Sequence, residues 1–204
     1  VDKDECLKIQ QLIDEHLTSH GVKSLLNEPI SLYDRDRFRK EMEKASLSTK
    51  ELKMRNNLKH TIQVGIDKDP DFFKPLAERL EKLLELKKVE RITQLKLLDE
   101  YHQMQDDIIN RKKKAEGLGL TTESEIALNN TLEAIFDSNS VSMTKCIFRE
   151  IEGELGIIGW TEKPTVKKDM ENKIVKLLVE KMDRAAARVK SKEIVELISK
   201  NTYA

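Results

Sequence analysis

The chain has 204 residues, enough for one large domain or two small ones, and 37 basic side chains balance 37 acidic ones. A formal net charge of zero leaves no global field to draw it onto nucleic acid or an anionic membrane. Charged residues reach 36% against a typical share of about 25%, while aromatics are only 4%, which argues against a sheet, because strands favour β-branched and aromatic residues. The expected fold is all-α and elongated, with wide solvated faces. No apolar run approaches the roughly 18 residues needed to span a bilayer. The cysteines, Cys6 and Cys146, have neither CxxC nor metal-ligand spacing and are read as reduced thiols of a cytoplasmic protein. The chain opens on Val1 rather than Met, which is read as a piece of a longer polypeptide.

In chain order, a first helix is predicted over residues 4–19, with Leu7, Ile13 and Leu17 on one stripe and Gly21 as its stop. A second follows Pro29, over residues 33–45, with Asp36 and Lys40 as an i,i+4 pair. Ser48-Thr49-Lys50-Glu51 has the pattern of a capping box, opening a helix that carries Leu52, Leu58, Ile62 and Ile66. Asp69 followed by Pro70 is a strong start signal for the next helix. Pro75 lies just beyond its first turn and suggests a kink or a 3₁₀ start, before a stripe of Leu76, Leu80, Leu83 and Leu84. The longest periodic stretch, residues 91–115, carries Ile92, Leu95, Leu98, Tyr101, Met104 and Ile108. Gly117 and Gly119 end it. Thr122-Glu123-Ser124-Glu125 is a second capping box, for a helix through Phe136. After a loop at residues 137–140, helices are predicted over 143–155, from Pro164 through Met182, and over 191–199 on a Ser191 cap. Ile157-Ile158-Gly159-Trp160 is a short apolar run that does not look helical. The boundary near residues 45–49 divides the chain into an N-terminal helical segment, 1–47, and a C-terminal helical domain, 48–204; a weaker break lies at 117–122.

Motifs for intrinsic catalysis are missing. There is no GxxxxGK[ST] phosphate cradle, no GxGxxG after a strand and no HExxH or Cys/His ligand set. His16 and His20 share a helical face, but His60 and His102 are scattered and no further ligands stand near them. Pairs such as Asp67 with Asp69, or Asp106 with Asp107, read as capping or solvated groups on helix ends. A nuclease of the PD…(D/E)xK type would need carboxylates on strands, and Glu162-Lys163-Pro164 is no substitute. The expectation is therefore no catalytic, cofactor-binding or metal-binding residue in this chain.

Seven residues are candidates for contact with a partner or with DNA: Phe72, Phe73, Arg111, Lys112, Lys113, Lys114 and Trp160. Arg111 to Lys114 close the long helix, where cations complement the macrodipole or, alternatively, contact phosphates. No aromatics interleave them, which disfavours a single-strand stacking platform. Trp160 is the sole tryptophan and reads as core or as an interface anchor. Phe72 and Phe73 point about 100° apart on a helix, so one belongs to the core and the other faces a neighbouring element or a partner.

The segment Asp69-Pro70-Asp71-Phe72-Phe73-Lys74-Pro75-Leu76-Ala77-Glu78-Arg79-Leu80-Glu81 resembles the C-terminal region of the motor (restriction) subunit of type I restriction endonucleases. The likeness extends over about residues 52–201: a long charged helix, Gly117-Leu118-Gly119-Leu120, an acidic helix, and Ile158-Gly159-Trp160-Thr161 before the last helices. Residues 184–204 depart from the pattern. The resemblance implies a parent that is an ATP- and Mg-dependent DNA translocase and site-specific deoxyribonuclease, whose catalytic domains lie outside this chain. It implies that this region is a helical assembly domain docking the motor subunit onto the methyltransferase and specificity subunits. The alternatives are a helical module guiding duplex DNA and an unrelated helical adaptor.

Overall fold

The computed structural model describes Lys40 and residues 45–202, and among these every regular element is helical. The chain divides into two units, 1–44 and 45–204, and the second is described below. Cys6, the His16/His20 pair and the helices expected at 4–19 and 33–45, apart from Lys40 and Ala45, lie outside the described residues.

Helix α1 is Leu47–Ile66. Its N-cap is Ser46, whose hydroxyl accepts from the Thr49 amide at 3.3 Å, so the expected capping box at residues 48–51 does not form. Glu51 is instead buried and ion-paired with Lys87, while Gln94 donates to it at 3.1 Å. The buried stripe is Met54, Leu58 and Ile62, and Leu52 lies outside it. Helix α2, Pro70–Lys88, starts where Asp69 and Pro70 predict, the Asp69 carboxylate accepting from the Phe72 amide at 3.3 Å. Pro75 sits inside α2 and the helix continues through it, without the bond that an N–H at residue 75 would give to the Asp71 carbonyl. Helix α3, Gln94–Gly117, is the long one: 24 residues, about 36 Å. It begins at Gln94 with Thr93 as its N-cap, three residues later than the periodicity suggests, and Leu97 rather than the exposed Leu95 joins the core stripe. Gly119 takes φ 72°, letting the Leu120 amide bond back to the Ala115 carbonyl at 3.0 Å.

Helix α4, Glu123–Phe136, forms the predicted capping box between Thr122 and Glu125. Burial pushes the Glu125 carboxyl up, but the amides and hydroxyls of Thr121 and Thr122 outweigh it and hold it below the usual carboxylate range. A 3₁₀ turn, Asp137–Asn139, leads into α5, Ser140–Glu150, and the short α6, Glu152–Leu155. A second 3₁₀ turn, Trp160–Glu162, precedes α7, Pro164–Leu178. Helix α8 is Arg184–Asn201, not 191–199. Asp183 caps it, accepting from the amides of Ala185 and Ala186, and three successive alanines propagate the helix past Ser191. Ser191 is thus mid-helix, donating to the Arg188 carbonyl at 2.9 Å.

Helices α1, α2 and α3 pack on one another, and α4, α5, α7 and α8 enclose a second core of Leu128, Leu132, Ile147, Trp160, Ile174 and Ile194. Helix α4 touches both α2 and α8 and so joins the two bundles. The tie is polar as well: Asn201, on the last turn of α8, donates to the Lys68 carbonyl at 2.7 Å.

Tyr101 in α3 has no solvent exposure, and its hydroxyl has no hydrogen-bond partner among the described residues. Burial, reinforced by Glu51 and partly offset by Arg55, pushes its phenol up to about 12. Its ordinary value is about 10. Between these values the unfolded chain has lost this proton and the folded chain keeps it. The folded state therefore loses stability as pH rises from about 10 through about 12. Urea unfolding at pH 9 and pH 11 is expected to show this loss, and Tyr101→Phe is expected to reduce it; an identical pH slope in both proteins would refute the assignment.

Candidate docking groove

Asp69 is the centre of the site. Its carboxylate is fully buried at the start of α2. Its Oδ2 receives the Arg111 Nε at 2.8 Å, the Arg111 Nη2 at 2.7 Å and the Asn130 Nδ2 at 2.7 Å. The Arg111 Nη1 donates to Glu123 Oε2 at 2.8 Å. One guanidinium, from α3, thereby fastens the N-termini of α2 and α4. It also lies 5.4 Å from the Phe72 ring centre and 5.7 Å from that of Phe73, and the two rings meet edge to face at 5.0 Å. Burial pulls the guanidinium down, but Asp69 and Glu123 outweigh it and carry it up. Burial pushes the Asp69 carboxyl up, against the pull of Arg111, Asn130 and the Phe72 amide. These directions oppose one another, since one disfavours the ionised pair and the other favours it. Three N–H donors converging on a single oxygen decide for the ionised form.

Above this floor, α2, α3 and α4 leave an open groove of about 500 Å³. Phe72, Pro75, Leu76, Leu118, Leu120 and Ile126 supply apolar walls. The exposed side chains of Asp71, Asp107, Lys114 and Glu133 form its rim. Asp71 accepts from the Thr131 hydroxyl at 2.6 Å, and Asp107 faces Arg79 at 3.4 Å.

The seven candidate contact residues separate here. Phe72 is half-buried and lines the groove, and Lys114 is exposed on its rim. Lys112 and Lys113 are exposed but do not line it. Arg111, Phe73 and Trp160 are buried in the fold, at 9%, 4% and 3% exposure. A buried, doubly paired guanidinium has no free edge for a phosphate, so Arg111 leaves the basic run with three surface charges instead of four. Trp160 packs in the second core, while its neighbour Ile158 stands 94% exposed on a turn that Lys163 holds by donating to the Ile158 carbonyl at 3.0 Å.

The acidic rim is not evident in the sequence. Asp107 lies one helical turn before Arg111, and Glu133 lies one turn after Asn129, so each set shares a face. Nothing local says that those two faces meet. Of the carboxylate pairs, Asp67 is exposed while Asp69 is buried, and Asp107 pairs with Arg79. Among the described residues no cluster of His, Cys, Asp and Glu could hold a metal ion, and no helix is long and apolar enough to cross a membrane. No family model, curated protein or solved structure matches the chain.

Proposed function

We propose that this chain is the helical assembly region of a type I restriction motor subunit, docking that subunit onto its methyltransferase–specificity core in the cytoplasm. In this reading it performs no catalysis itself. DNA cleavage and ATP- and Mg-dependent translocation belong to other parts of the parent protein. One observation carries the proposal: the motif that resembles the motor subunit, residues 69–81, supplies one apolar wall of the groove, Phe72, Pro75 and Leu76, and, through Asp69, part of its buried ionic floor. A partly apolar recess built on three helices and fastened by the Arg111 ion pairs suits a protein element.

The test is sedimentation of the whole chain with the methyltransferase–specificity complex of the same restriction system, at about 0.05 and 0.2 M salt. Co-sedimentation at both is expected, and absence of association at both would sink the reading. The DNA-guiding alternative draws on the exposed Lys112, Lys113 and Lys114, which hold no ion pair among the described residues. With Arg111 withdrawn, three phosphate contacts would give a log–log salt slope of about −2.7 on duplex DNA. A measured slope near that value, together with no association with the protein complex, would replace the docking reading by this one.

A further inference from the structure

The groove has a sign that the basic run of the sequence does not suggest. On its rim stand the carboxylates Asp71, Asp107 and Glu133, with one cation, Lys114. Beneath it Arg111 is paired with both Asp69 and Glu123. Beside it Arg79 reaches Asp107 at 3.4 Å but is held more closely, at 2.7 Å, by Glu100. At its far end the Lys145 ammonium donates to the Leu118 carbonyl at 3.1 Å, so six carboxylates face four cations, an excess of two negative charges around an apolar recess. Such a field repels nucleic-acid phosphate and attracts a cation.

The walls state the rest of the chemistry. Leu118 is 51% exposed, Phe72 is half-buried, and Pro75 is exposed beside them. A carboxylate rim over an apolar wall matches a side chain with an aliphatic stem and a cationic head. Two helices separated by a groove also accept an amphipathic helix by its apolar face. From this charge complementarity we infer that the groove between α2, α3 and α4 receives a cationic amphipathic segment of the partner protein, placing a Lys or Arg side chain against Phe72 and Leu118 with its head among Asp71, Asp107 and Glu133. The inference rests on the docking reading and names the chemistry of the surface that the partner presents. The expected partner is a protein rather than a nucleic acid, because the excess charge at the recess has the wrong sign for phosphate.

The test uses the whole ¹⁵N-labelled chain and two small probes of equal stem, N-hexylguanidinium and hexanoate, followed by amide chemical shifts. Hexylguanidinium is expected to move the amides of Phe72, Leu118, Asn130 and Glu133, and hexanoate to leave them in place. Glu133→Lys, an exposed change that should leave the thermal midpoint unaltered, is expected to weaken hexylguanidinium binding about fivefold or more. Equal shifts by both probes, shifts confined to another face, or unchanged binding by E133K would overturn the inference. The two proposals fail separately. If E133K associates with the methyltransferase–specificity complex as the unaltered chain does and the cationic probe ignores the groove, the groove inference falls while docking stands. If the probe binds the groove and the chain never associates with that complex, the groove chemistry holds and the restriction assignment falls.

Discussion

Arg111→Ala is expected to cost the fold about 3–5 kcal/mol, more than any substitution among the neighbouring lysines. Its side chain is 7% exposed and the Asp69 carboxylate it pairs with is fully buried. Truncation would leave that carboxylate in the interior with only Asn130 and the Phe72 amide as donors, and would also strip Glu123 of its partner. It would remove the cation that lies against Phe72 and Phe73 as well. Urea unfolding of the whole chain, read by fluorescence of the sole tryptophan, Trp160, measures the loss. Lys114→Ala should change the same transition by less than about 0.5 kcal/mol, because that side chain is on the surface. Removing both charges distinguishes an uncompensated carboxylate from lost packing. Asp69→Asn combined with Arg111→Met keeps an N-cap at residue 69 and similar volume at residue 111, and should recover most of the stability. A loss below about 1 kcal/mol for the single variant would mean that water reaches Asp69 and that the ionic floor is not a structural centre.

Gly65→Ala is expected to lower stability by about 1–3 kcal/mol although alanine is the better helix former by about 0.5–1 kcal/mol. The two effects have opposite signs, and geometry decides between them. A Cβ at residue 65 would lie 2.5–2.6 Å from three ring carbons of Phe73. That ring is 4% exposed and wedged where α1 hands over to α2, so it has little room to retreat. The corner is further drawn in by the amides of Lys68 and Asp69, which both bond to the Gly65 carbonyl, at 3.0 and 2.8 Å. For a chain of this size the thermal midpoint should fall by roughly 2–4 °C per kcal/mol. Gly117→Ala is the internal contrast, since a Cβ there meets nothing within 4 Å and helix propensity alone should act. An unchanged or raised midpoint for Gly65→Ala would show that α2 shifts freely against α1. Phe73→Leu in the same chain should relieve part of the loss if the contact is the cause.

The local signals in the sequence correspond to particular elements of the fold. Asp69 with Pro70, and Thr122 with Glu125, mark helix starts at the residues where α2 and α4 begin. Gly119 marks the stop of α3 with its positive φ. Caps, prolines and left-handed glycines act within a few residues of backbone, so their meaning survives without the rest of the chain. The high charge and scarcity of aromatics likewise establish an all-helical class, since wide polar faces and a narrow apolar stripe are helical properties. Where two local signals compete, the outcome turns on context. Ser48 has a capping pattern, but Glu51 is drawn away to Lys87 and Gln94, and Ser46 caps instead.

What only tertiary structure decided is which charges are still charges at the surface. Arg111 and Lys114 are three residues apart in one basic run, yet one is buried in an ion pair with Asp69, 42 residues away, and the other stands in solvent. The acidic groove draws its rim from three helices, with Asp71, Asp107 and Glu133 far apart in the chain. Its electrostatic sign follows from how those helices are placed together. Periodicity determines which face of a helix is apolar, but a Coulomb interaction depends on distance in space and on burial, and neither is written in sequence spacing.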